Sequence, residues 1–344
     1  MNINTQMSIK DNYLSYKKEN PKKRIRDISK AIGVTEAEVL HSFSGSSVMP
    51  LKNDFKALFE RLHELGKVMV LTRNESCVHE RKGVFEKVEV TNPHVGIVVG
   101  EDIDLRMFFY CWSFAYAVFD NEEAGLKKSI QIFDKWGNAI VKIYPQAEAN
   151  QEAYDSLVRD FQQAELNHEI TVAEKQALQY ADPSTVDIAA FQQEWAALKD
   201  THDFFPMMKK YKLSRIDAIR NGGSFVKKVQ NTAAADLLKS AAASGLEIMV
   251  FVGNDGMIQI HTGKVEKILD IPEWVNVMDK DFNLHLRTTH IHETYMVKKP
   301  TEDGVVHSVE CFDAEGTLIV QFFGKRKPGK PELTEWTSYA LSLS

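Results

Sequence analysis

Residues 69–83 read MVLTRNESCVHERKG, and residues 249–263 read MVFVGNDGMIQIHTG, 180 positions later (249 − 69 = 180). Two further pairs of segments match in the same order. They are DLR at 104–106 with HLR at 285–287, and SIQIFDKWG at 129–137 with SVECFDAEG at 308–316. Matches in a constant order at a nearly constant shift indicate a tandem duplication with copies of about 150 residues. We therefore expect an N-terminal repeat over 1–150, a partly helical linker over 151–188 and a C-terminal repeat over 189–344.

Within each copy, helical patterns come before strand patterns. Apolar residues recur at three- and four-residue spacing in 21–66 and 190–245, which is typical of helices. Runs of β-branched and aromatic residues follow, and Asp-x-x-Gly turns at 134–137 and 313–316 favour antiparallel hairpins. The sequence therefore predicts an α+β fold that occurs twice. The predicted strand runs are 67–71, 105–118, 128–133, 248–252 and 317–323.

Composition narrows the class of protein. The chain has 344 residues, 44% hydrophobic and 26% charged, which is typical of a folded protein of two domains. Its formal net charge of −6 gives no positive field that would favour nucleic acid or anionic lipid. The three cysteines, Cys77, Cys111 and Cys311, form no Cys-x-x-Cys pair and indicate reduced thiols. No apolar leader is present, and the uncharged run 107–119 is shorter than the roughly 20 residues of a membrane span. We expect a cytoplasmic protein that is not embedded in a membrane.

His202 is the strongest candidate for a functional side chain. Trp195, Leu198, His202 and Phe205 recur at helical spacing, which predicts an apolar helix face with an imidazole in its middle. Such a histidine is either a core residue bonded to a carbonyl group or an axial ligand to the iron of a flat apolar cofactor such as haem. Pro206 lacks an N–H, so we expect the helix to kink or restart just after His202.

An overlay of the two copies favours the ligand. Residues 11–28 align with 202–219 at a shift of 191 (202 − 11 = 191), which pairs Asp11 with His202 and Arg24 with Arg215. In this alignment only the second copy carries the imidazole, as expected if that copy alone has a site here.

Other side chains give weaker signals. His79 lies in an alternating segment that predicts a strand with a polar face, and a solvated position is favoured over a functional one. The histidines His285, His290 and His292 could hold a metal, but no acidic or cysteine partner stands at ligand spacing.

A third group of residues matters only if the ligand carries carboxylates, which arginine binds through two N–H groups. These cations are Arg215, Lys298, Lys299, Arg326 and Lys327.

Residues 26–39, RDISKAIGVTEAEV, look like a helix-turn-helix with Gly33 at the turn, a motif typical of DNA-binding regulators. A recognition helix should carry Arg, Lys, Asn or Gln to reach base edges. The second helix here reads TEAEVLHS and is acidic at its start. We therefore interpret the segment as a structural helical hairpin, and the DNA-binding regulator remains the weaker alternative.

Eight segments occur in an order that is typical of one protein family. They are NPKKRIRDISKAIGVTEAEVL, RNESCVHERKG, DLRMFFYCW, SIQIFDKWGNAIVKIY, THDFF, EIMVFVGNDGMIQIHTG, VKKPTEDG and SVECFDAEGTLIVQFFGKR. With them the chain resembles, over nearly its whole length, the bacterial cytoplasmic haem-utilisation proteins, also known as haemin-degrading or haemin-transport factors. The resemblance implies a structural duplication in which each half is a large antiparallel β-sheet with helices packed against it. It also implies one haem, bound in a cleft of the C-terminal half.

The resemblance assigns roles to particular residues. His202, in the THDFF segment, would be the axial ligand to the haem iron. Arg215, Lys299 and Arg326 would face the haem or its propionates, and His79 would be an accessory haem contact in the N-terminal half. The implied partners are a haem importer of the inner membrane and a downstream protein that accepts haem, with no nucleic acid.

Two departures from the family pattern bear on activity. Relatives carry an Asn-Pro-Arg segment before the DLR block, whose arginine reaches the distal side of the iron, whereas 99–102 here is Val-Gly-Glu-Asp. Relatives often have tyrosine where Phe323 stands, which leaves Gln321 and Arg326 as candidate catalytic residues beside the haem. The sequence therefore predicts a haem-binding protein of haem uptake and iron utilisation that carries haem. Degradation of the haem to release iron is the less secure expectation, because the distal arginine and tyrosine of the family are missing, and carriage or storage alone is the main alternative.

Overall fold

The structure, a computed structural model, describes residues 7–86, 88–165, 169–326 and 329–343, and the statements below refer to these residues. The chain divides into two compact units. Unit 1 consists of Met1–Thr72, Arg81–Lys175 and Asn254–Ile258, and unit 2 consists of Arg73–Glu80, Gln176–Gly253 and Gln259–Ser344. Each unit thus takes a short segment from the half of the chain that builds the other.

Unit 1 combines helices with antiparallel strands. Its helices are α1 (Ile9–Glu19), α2 (Ile25–Ala31), α3 (Glu36–His41), α4 (Phe55–Glu60) and α5 (Gln151–Phe161). The strands of the first half of the chain are β1 (Val48–Leu51), β2 (Lys67–Arg73), β3 (Cys77–Val84), β4 (Val88–Asn92), β5 (Val95–Val99), β6 (Asp104–Phe108), β7 (Trp112–Val118), β8 (Ser129–Asp134) and β9 (Ala139–Pro145). Antiparallel pairing gives the order β1-β7-β8-β9-β2 and a separate run β4-β5-β6.

Unit 2 repeats this arrangement. Its helices are α6 (Ile188–Ala196), α7 (Phe204–Lys210), α8 (Arg215–Arg220), α9 (Ala233–Ser244) and α10 (Thr334–Ser342). The strands of the second half are β10 (Val226–Val229), β11 (Ile248–Gly253), β12 (Met257–Gly263), β13 (Ile268–Ile271), β14 (Trp274–Met278), β15 (Phe282–Arg287), β16 (Glu293–Thr301), β17 (Gly304–Phe312) and β18 (Leu318–Gly324). Antiparallel pairing gives β10-β16-β17-β18-β11 and a run β13-β14-β15. The predicted α+β duplication with antiparallel sheets is confirmed.

The two halves correspond at a shift of 179 residues. Helix α1 begins at residue 9 and α6 at 188, while α3 begins at 36 and α8 at 215 (188 − 9 = 179, 215 − 36 = 179). The turns before α3 and α8 agree in detail, since Gly33 and Lys212 both have a positive φ, of 76° and 53°. The overlay at a shift of 191 was therefore wrong, because it set α1 and α2 against α7 and α8, whereas the shift of 179 pairs α1, α2 and α3 with α6, α7 and α8.

The corrected shift changes two pairings. Arg215, the first residue of α8, corresponds to Glu36 and not to Arg24, and His202 corresponds to Lys23 and not to Asp11 (202 − 179 = 23). The imidazole still occurs in the second copy only.

Most predicted strand runs are present, with one interruption. The run predicted over 105–118 is two strands, β6 and β7, separated by a short 3-10 helix at Phe109–Cys111. Helix α5 lies in the segment predicted as a linker, and the predicted domain boundaries stay a prediction. Among the described residues, no helix has the length and apolar character needed to cross a bilayer.

The sheet β10-β16-β17-β18-β11 of unit 2 is covered on both faces. On one face Val309, Val320 and Phe322 are fully buried in a core shared with residues of α9 and α10. On the other face Tyr295 and Val297 join a core with residues of α6, α7 and α8. Because side chains alternate along a strand, β16 and β17 contribute to both cores.

Two matching asparagine turns hold the exchanged segments. Asn74 donates from Nδ2 to the carbonyl oxygens of Gly253 and Ile319, at 3.1 and 2.8 Å, and its Oδ1 accepts from the backbone N–H groups of Ser76 and Cys77, at 3.0 and 2.9 Å. In unit 1, Asn254 donates to the carbonyl of Ile140 and accepts from the N–H groups of Gly256 and Met257. One side chain thus orders its own turn and binds it to the unit.

We expect Asn74→Ala to lower the free energy of unfolding by about 2–3 kcal/mol, because it leaves two carbonyl groups and two N–H groups without their side-chain partner. Urea denaturation followed by circular dichroism measures this loss. Gln176→Ala, at an exposed position of unit 2, is the control and should change stability by less than about 0.5 kcal/mol. Equal stabilities of the two variants would contradict the role of the turn.

Candidate functional site

His202 lies outside the helix that the sequence predicts for it. Helix α6 ends at Ala196, and His202 occupies a separate 3-10 turn, Thr201–Asp203, that Asp200 caps. The imidazole is 87% exposed, so both the shared apolar helix face and the core-histidine interpretation were wrong. The physical reason is the cap, because the Asp200 carboxylate accepts the His202 N–H at 2.8 Å and starts a new turn.

Asp200 also orients the imidazole. Its Oδ1 lies 2.6 Å from Nδ1 of His202, and an ionised carboxylate can only accept, so in the neutral ring Nδ1 would be the donor and Nε2 would keep the lone pair that a metal binds. The hydrogen bond from the His202 backbone holds the pKa of Asp200 below its ordinary value, and the imidazole adds to this effect. An exposed Nε2 on a ring whose Nδ1 is held by a carboxylate is the arrangement that histidine ligands to metals commonly have.

The turn that carries His202 is fixed to the sheet. The indole N–H of Trp195, a fully buried residue, donates to the carbonyl of Lys298 at 2.9 Å. The N–H of Glu302 donates to the carbonyl of Lys199, also at 2.9 Å. Both contacts join the chain before His202 to β16 and the turn that follows it. Pro206 lies in the first turn of α7, where no helical hydrogen bond needs its missing N–H, so the predicted helix restart is confirmed.

Two of the predicted cations meet a carboxylate that the sequence analysis missed. Arg215 donates from Nε and Nη2 to the two carboxylate oxygens of Glu310, at 2.9 and 3.0 Å. Lys299 donates from Nζ to Oε1 of Glu310 at 2.8 Å, and Ser308 donates to the same oxygen at 3.0 Å. Glu310 is fully buried, the Lys299 side chain is 4% exposed and the Arg215 side chain is 26% exposed. Arg215 is therefore the member of this cluster that reaches the surface.

Burial and the neighbouring charges shift the pKa values of Glu310 and Lys299. Burial alone would raise the pKa of Glu310, but Arg215 and Lys299 hold it well below its ordinary value. Burial lowers the pKa of Lys299, and the neighbouring carboxylate opposes that shift. The ring of Phe204 lies beneath both cations, with its centroid 5.5 Å from the Arg215 guanidinium carbon and 4.8 Å from Lys299 Nζ.

A partly exposed apolar surface adjoins this cluster. Gln321 pairs with Glu310 on one side and Phe251 on the other, and Phe323 pairs with Met249, so these side chains share one face of the sheet. Met249, Phe251 and Phe323 are half-buried, and the rings of Phe251 and Phe323 lie 4.9 Å apart. Gln321 is 8% exposed. We refer to Met249, Phe251 and Phe323 as the apolar floor.

Arg326 lies just after β18, with one guanidinium nitrogen 3.7 Å from Oδ2 of Asp303. Its positive charge contributes to the lowered pKa of Asp200, which places it on the His202 side of the cluster. Lys298 pairs with His307 and points to the opposite face from Lys299. Lys327 lies outside the described residues.

His79 is buried, so the prediction of a solvated strand position was wrong. Its side chain is fully inaccessible, and its ring centroid lies 5.0 Å from that of Phe282. The segment Arg73–Glu80 that carries it belongs to unit 2, although the sequence analysis assigned it to the N-terminal half. Phe282 also stacks on His261, with ring centroids 3.8 Å apart.

The histidines of β15 and the turn after it have hydrogen-bond partners. His285 Nδ1 lies 2.7 Å from Asn276 Oδ1, and burial lowers the pKa of His285. His290 Nδ1 lies 2.9 Å from the hydroxyl oxygen of Ser76. Within the described part of the chain, no group of three or more His, Cys, Asp or Glu side chains is arranged to hold a metal.

A second carboxylate holds the other end of α8. Glu293, on β16, has a 7% exposed side chain that binds Arg220, Tyr295 and Lys228, the last at 2.9 Å. The hydrogen bond from Arg220 is the main cause that lowers the pKa of Glu293 to about 2. Arg215 and Arg220, the first and last residues of α8, are thus both anchored to the sheet.

Comparisons with known proteins agree with this architecture. A family model described as the haemin-degrading HemS.ChuX domain matches twice, over residues 33–161 and 212–343, and the two starts again differ by 179 (212 − 33 = 179). The hemin transport protein HemS of Yersinia enterocolitica is 37% identical over 339 residues, which cover 98% of this chain and 97% of that protein.

Two solved structures are similar over nearly the whole chain. Holo-PhuS, described as a heme-binding protein from Pseudomonas aeruginosa, has a TM-score of 0.95 and 41% identity, and the match covers 98% of both chains. ChuS, described as a heme degrading enzyme of Escherichia coli O157:H7, has a TM-score of 0.89 and 33% identity, with 97% of this chain and 98% of that chain covered.

The anchoring of α8 predicts a loss of stability in acid. The pKa of Glu293 is below its ordinary value of 4.5, so its contribution is complete above about pH 4.5 and is lost as the pH falls towards about 2. We expect Glu293→Gln to lower the free energy of unfolding by about 2 kcal/mol near neutral pH, and by less as the pH falls through this window. Urea denaturation at several pH values measures both effects.

Glu247→Gln is the matched control, because Glu247 is 39% exposed and pairs with Lys325 at 2.8 Å on the surface. This variant should keep the wild-type pH dependence and lose less than about 1 kcal/mol. A pH dependence of Glu293→Gln that equals that of the wild type would contradict the anchoring role.

Proposed function

The chain belongs to the family of the haemin-degrading HemS.ChuX domain, and from this premise we propose that unit 2 binds one haem through His202. The family resemblance inferred from sequence is confirmed. The protein is a haem-binding protein of haem uptake and iron utilisation. The observation that carries the proposed site is the 87% exposed imidazole, whose Nδ1 is held by Asp200 and whose Nε2 points away from that partner.

The residues present fit the chemistry of an iron porphyrin. A neutral imidazole nitrogen is a common axial ligand to haem iron, and the Asp200 carboxylate fixes the tautomer that makes Nε2 available. When bound, the iron supplies Lewis acidity and redox chemistry, whereas the protein supplies orientation and charge. The half-buried apolar floor offers a surface on which a porphyrin face excludes water.

The propionates of haem are carboxylates and require cations at the edge of the site. Arg215 is partly exposed and keeps Nη1 beyond the two nitrogens that bind Glu310. Arg326, 18% exposed and 3.7 Å from Asp303, is the second cation that we propose for this role. Arginine suits carboxylates because its N–H groups form a planar fork.

Unit 1 lacks this set of groups. At the positions that correspond to His202 and Arg215 it has Lys23 and Glu36, and Glu36 forms a buried ion pair with Lys142. The pair is neutral overall, and no imidazole stands beside it at the position of His202. We therefore propose that unit 2 is the haem-binding unit and that His79, which is fully buried, contributes to the core of that unit.

The exposure of His202 suits a protein that receives and passes on its ligand. A ligand side chain on the surface can be replaced by one from another protein without unfolding of the site. The proposal therefore includes a cytoplasmic location, a haem importer of the inner membrane as donor and a haem-accepting protein as recipient.

A DNA-binding role is less well supported. Helices α2 and α3 form the predicted helical hairpin, and Val39 and Leu40 of the second helix are fully buried in the core of unit 1. Glu36 of the same helix is committed to Lys142. Five of the six residues of α3, Glu36, Ala37, Val39, Leu40 and His41, are buried, so this helix does not present the side chains that reading a DNA groove requires.

Haem degradation is the second candidate function, because the similar ChuS is described as a heme degrading enzyme. Ring cleavage needs a hydrogen-bond donor beside the iron on the side opposite the axial histidine. Of the candidates, Gln321 is buried and Arg326 lies near Asp303. Phe323 carries no hydroxyl group. Residues 99–102, Val-Gly-Glu-Asp, provide no arginine. Haem carriage is therefore the function that the residues support best.

We expect His202→Ala to weaken haemin binding at least about tenfold and to shift the Soret maximum, because the variant removes the axial nitrogen. Absorbance titration of the purified protein with haemin measures both. His292→Ala, at another exposed histidine of unit 2, is the control and should behave as the wild type. A larger effect from His79→Ala than from His202→Ala would move the site away from His202.

We expect iron release with ascorbate as reductant to be about 100-fold slower than for ChuS assayed beside it, because one distal donor is worth that order of rate. The assay follows loss of the Soret band and ferrous iron, with catalase present to remove free peroxide, which destroys haem unaided. Release of iron and a linear tetrapyrrole at the rate of ChuS would favour the enzyme over the carrier.

A further inference from the structure

Two of the three charged groups in the cluster of Arg215, Lys299 and Glu310 are too deeply buried to act on a ligand directly. The Lys299 side chain is 4% exposed, and Glu310 is fully buried beneath it. Only Arg215 combines a contact with Glu310 and an exposed portion, 26% of its side chain. The family resemblance implies the same contact with haem for Lys299 and Arg215, whereas the different burial of the two side chains implies different roles.

We propose that Glu310 and Lys299 are a positioning pair, in which Glu310 aims the Arg215 guanidinium at a ligand carboxylate and Lys299 neutralises Glu310. Lys299 then acts through Glu310 and not on the ligand. The inference rests on the proposed haem site and names the residues that set its preference for a carboxylate-bearing ligand.

The geometry fixes Arg215 from one side. Its Nε and Nη2 bind the two oxygens of Glu310 at 2.9 and 3.0 Å, which is the bidentate arrangement that defines the plane of a guanidinium. Oε1 of Glu310 also accepts from Lys299 and Ser308, at 2.8 and 3.0 Å. With these donors the carboxylate has little freedom to turn towards another partner, so Nη1 is held on the outer side.

The charges explain why a lysine is buried here. Arg215 and Glu310 alone form a neutral pair, and an incoming carboxylate would be repelled by Glu310 as strongly as it is attracted by the arginine. Lys299 cancels the charge of Glu310 and leaves the cluster with one net positive charge, that of Arg215. Such a charge at the edge of an apolar floor favours ligands that carry a carboxylate.

The first repeat serves as an internal comparison. Gln131 stands where unit 2 has Glu310 (310 − 179 = 131), and the helix supplies an acid, Glu36, in place of Arg215. Glu36 pairs with Lys142, which corresponds to Gln321 (321 − 179 = 142). In unit 2 the helix supplies the cation and the sheet supplies the anion, whereas in unit 1 the helix supplies the anion and the sheet supplies the cation. The ion pair of unit 1 is neutral and leaves no net positive charge. Only the unit with His202 has the cluster of three charges.

The test uses near-isosteric variants of the full-length protein and haemin as the probe. We expect Lys299→Met to weaken haemin binding about tenfold, because Arg215 then remains as the counter-ion of Glu310 and the cluster loses the net positive charge that attracts the ligand carboxylate. Adding Glu310→Gln should restore affinity to within about threefold of the wild type, because the double variant has neither buried charge and the glutamine Oε1 still accepts an N–H of Arg215. Absorbance titration gives the affinities, and an unchanged Soret maximum shows that His202 still binds the iron.

A second ligand separates charge from shape. With haemin dimethyl ester, whose carboxylates are blocked, Lys299→Met and the wild type should bind equally. Thermal unfolding of the ligand-free proteins identifies any variant that fails to fold, and the double variant, with no unpaired buried charge, keeps the comparison available.

The inference is overturned if the double variant binds haemin as weakly as Lys299→Met, since Lys299 would then contact the ligand itself. It is also overturned if Lys299→Met weakens the dimethyl ester as much as haemin. A wild type that binds no haemin would instead reject the proposed haem site. The two failures are therefore distinguishable.

Discussion

The buried carboxylate of Glu310 is the interaction on which the site in unit 2 depends. Removing such a group from water costs several kcal/mol unless charged hydrogen-bond donors surround it. Arg215, Lys299 and Ser308 supply those donors from three different elements, α8, β16 and β17 itself. Helix α8 must therefore lie over the sheet in one position, and the turn with His202 precedes it by a single short helix.

The pairing of antiparallel strands then decides what can lie beside that carboxylate. Residues opposite one another in the sheet share a face, so Gln321 and Phe251 adjoin Glu310, while the alternate residues face α9 and α10. Strands β18 and β11 therefore contribute to a core on one face and to the apolar floor on the other. The duplication preserved this framework and reversed the ion pair, which is why we propose the anionic ligand for unit 2 and not for unit 1.

The sequence predicts the repeat and most strands, because strand patterns and turn residues are local signals. Prediction from the sequence fails where an interaction of a side chain overrides the local pattern of apolar and polar residues. The spacing of Trp195, Leu198 and His202 looks helical, but the carboxylate of Asp200 caps a new turn and turns the imidazole to solvent. The overlay at 191 failed because it matched residue types, Arg24 with Arg215, where the true correspondence places an acid opposite a base. Glu310 was missed because nothing in the sequence shows which side chains pair with a charged residue in an apolar strand. Its alignment with Gln131 did mark a difference between the two copies.

The exchange of short segments between the units has a consequence for biosynthesis. Unit 1 includes Asn254–Ile258, with Met257 fully buried in its core, and these residues are translated long after the rest of that unit. An N-terminal half emerging from the ribosome therefore lacks part of its own interior until most of the chain has been made. The core of unit 1 is therefore complete only once the chain has been translated as far as Ile258.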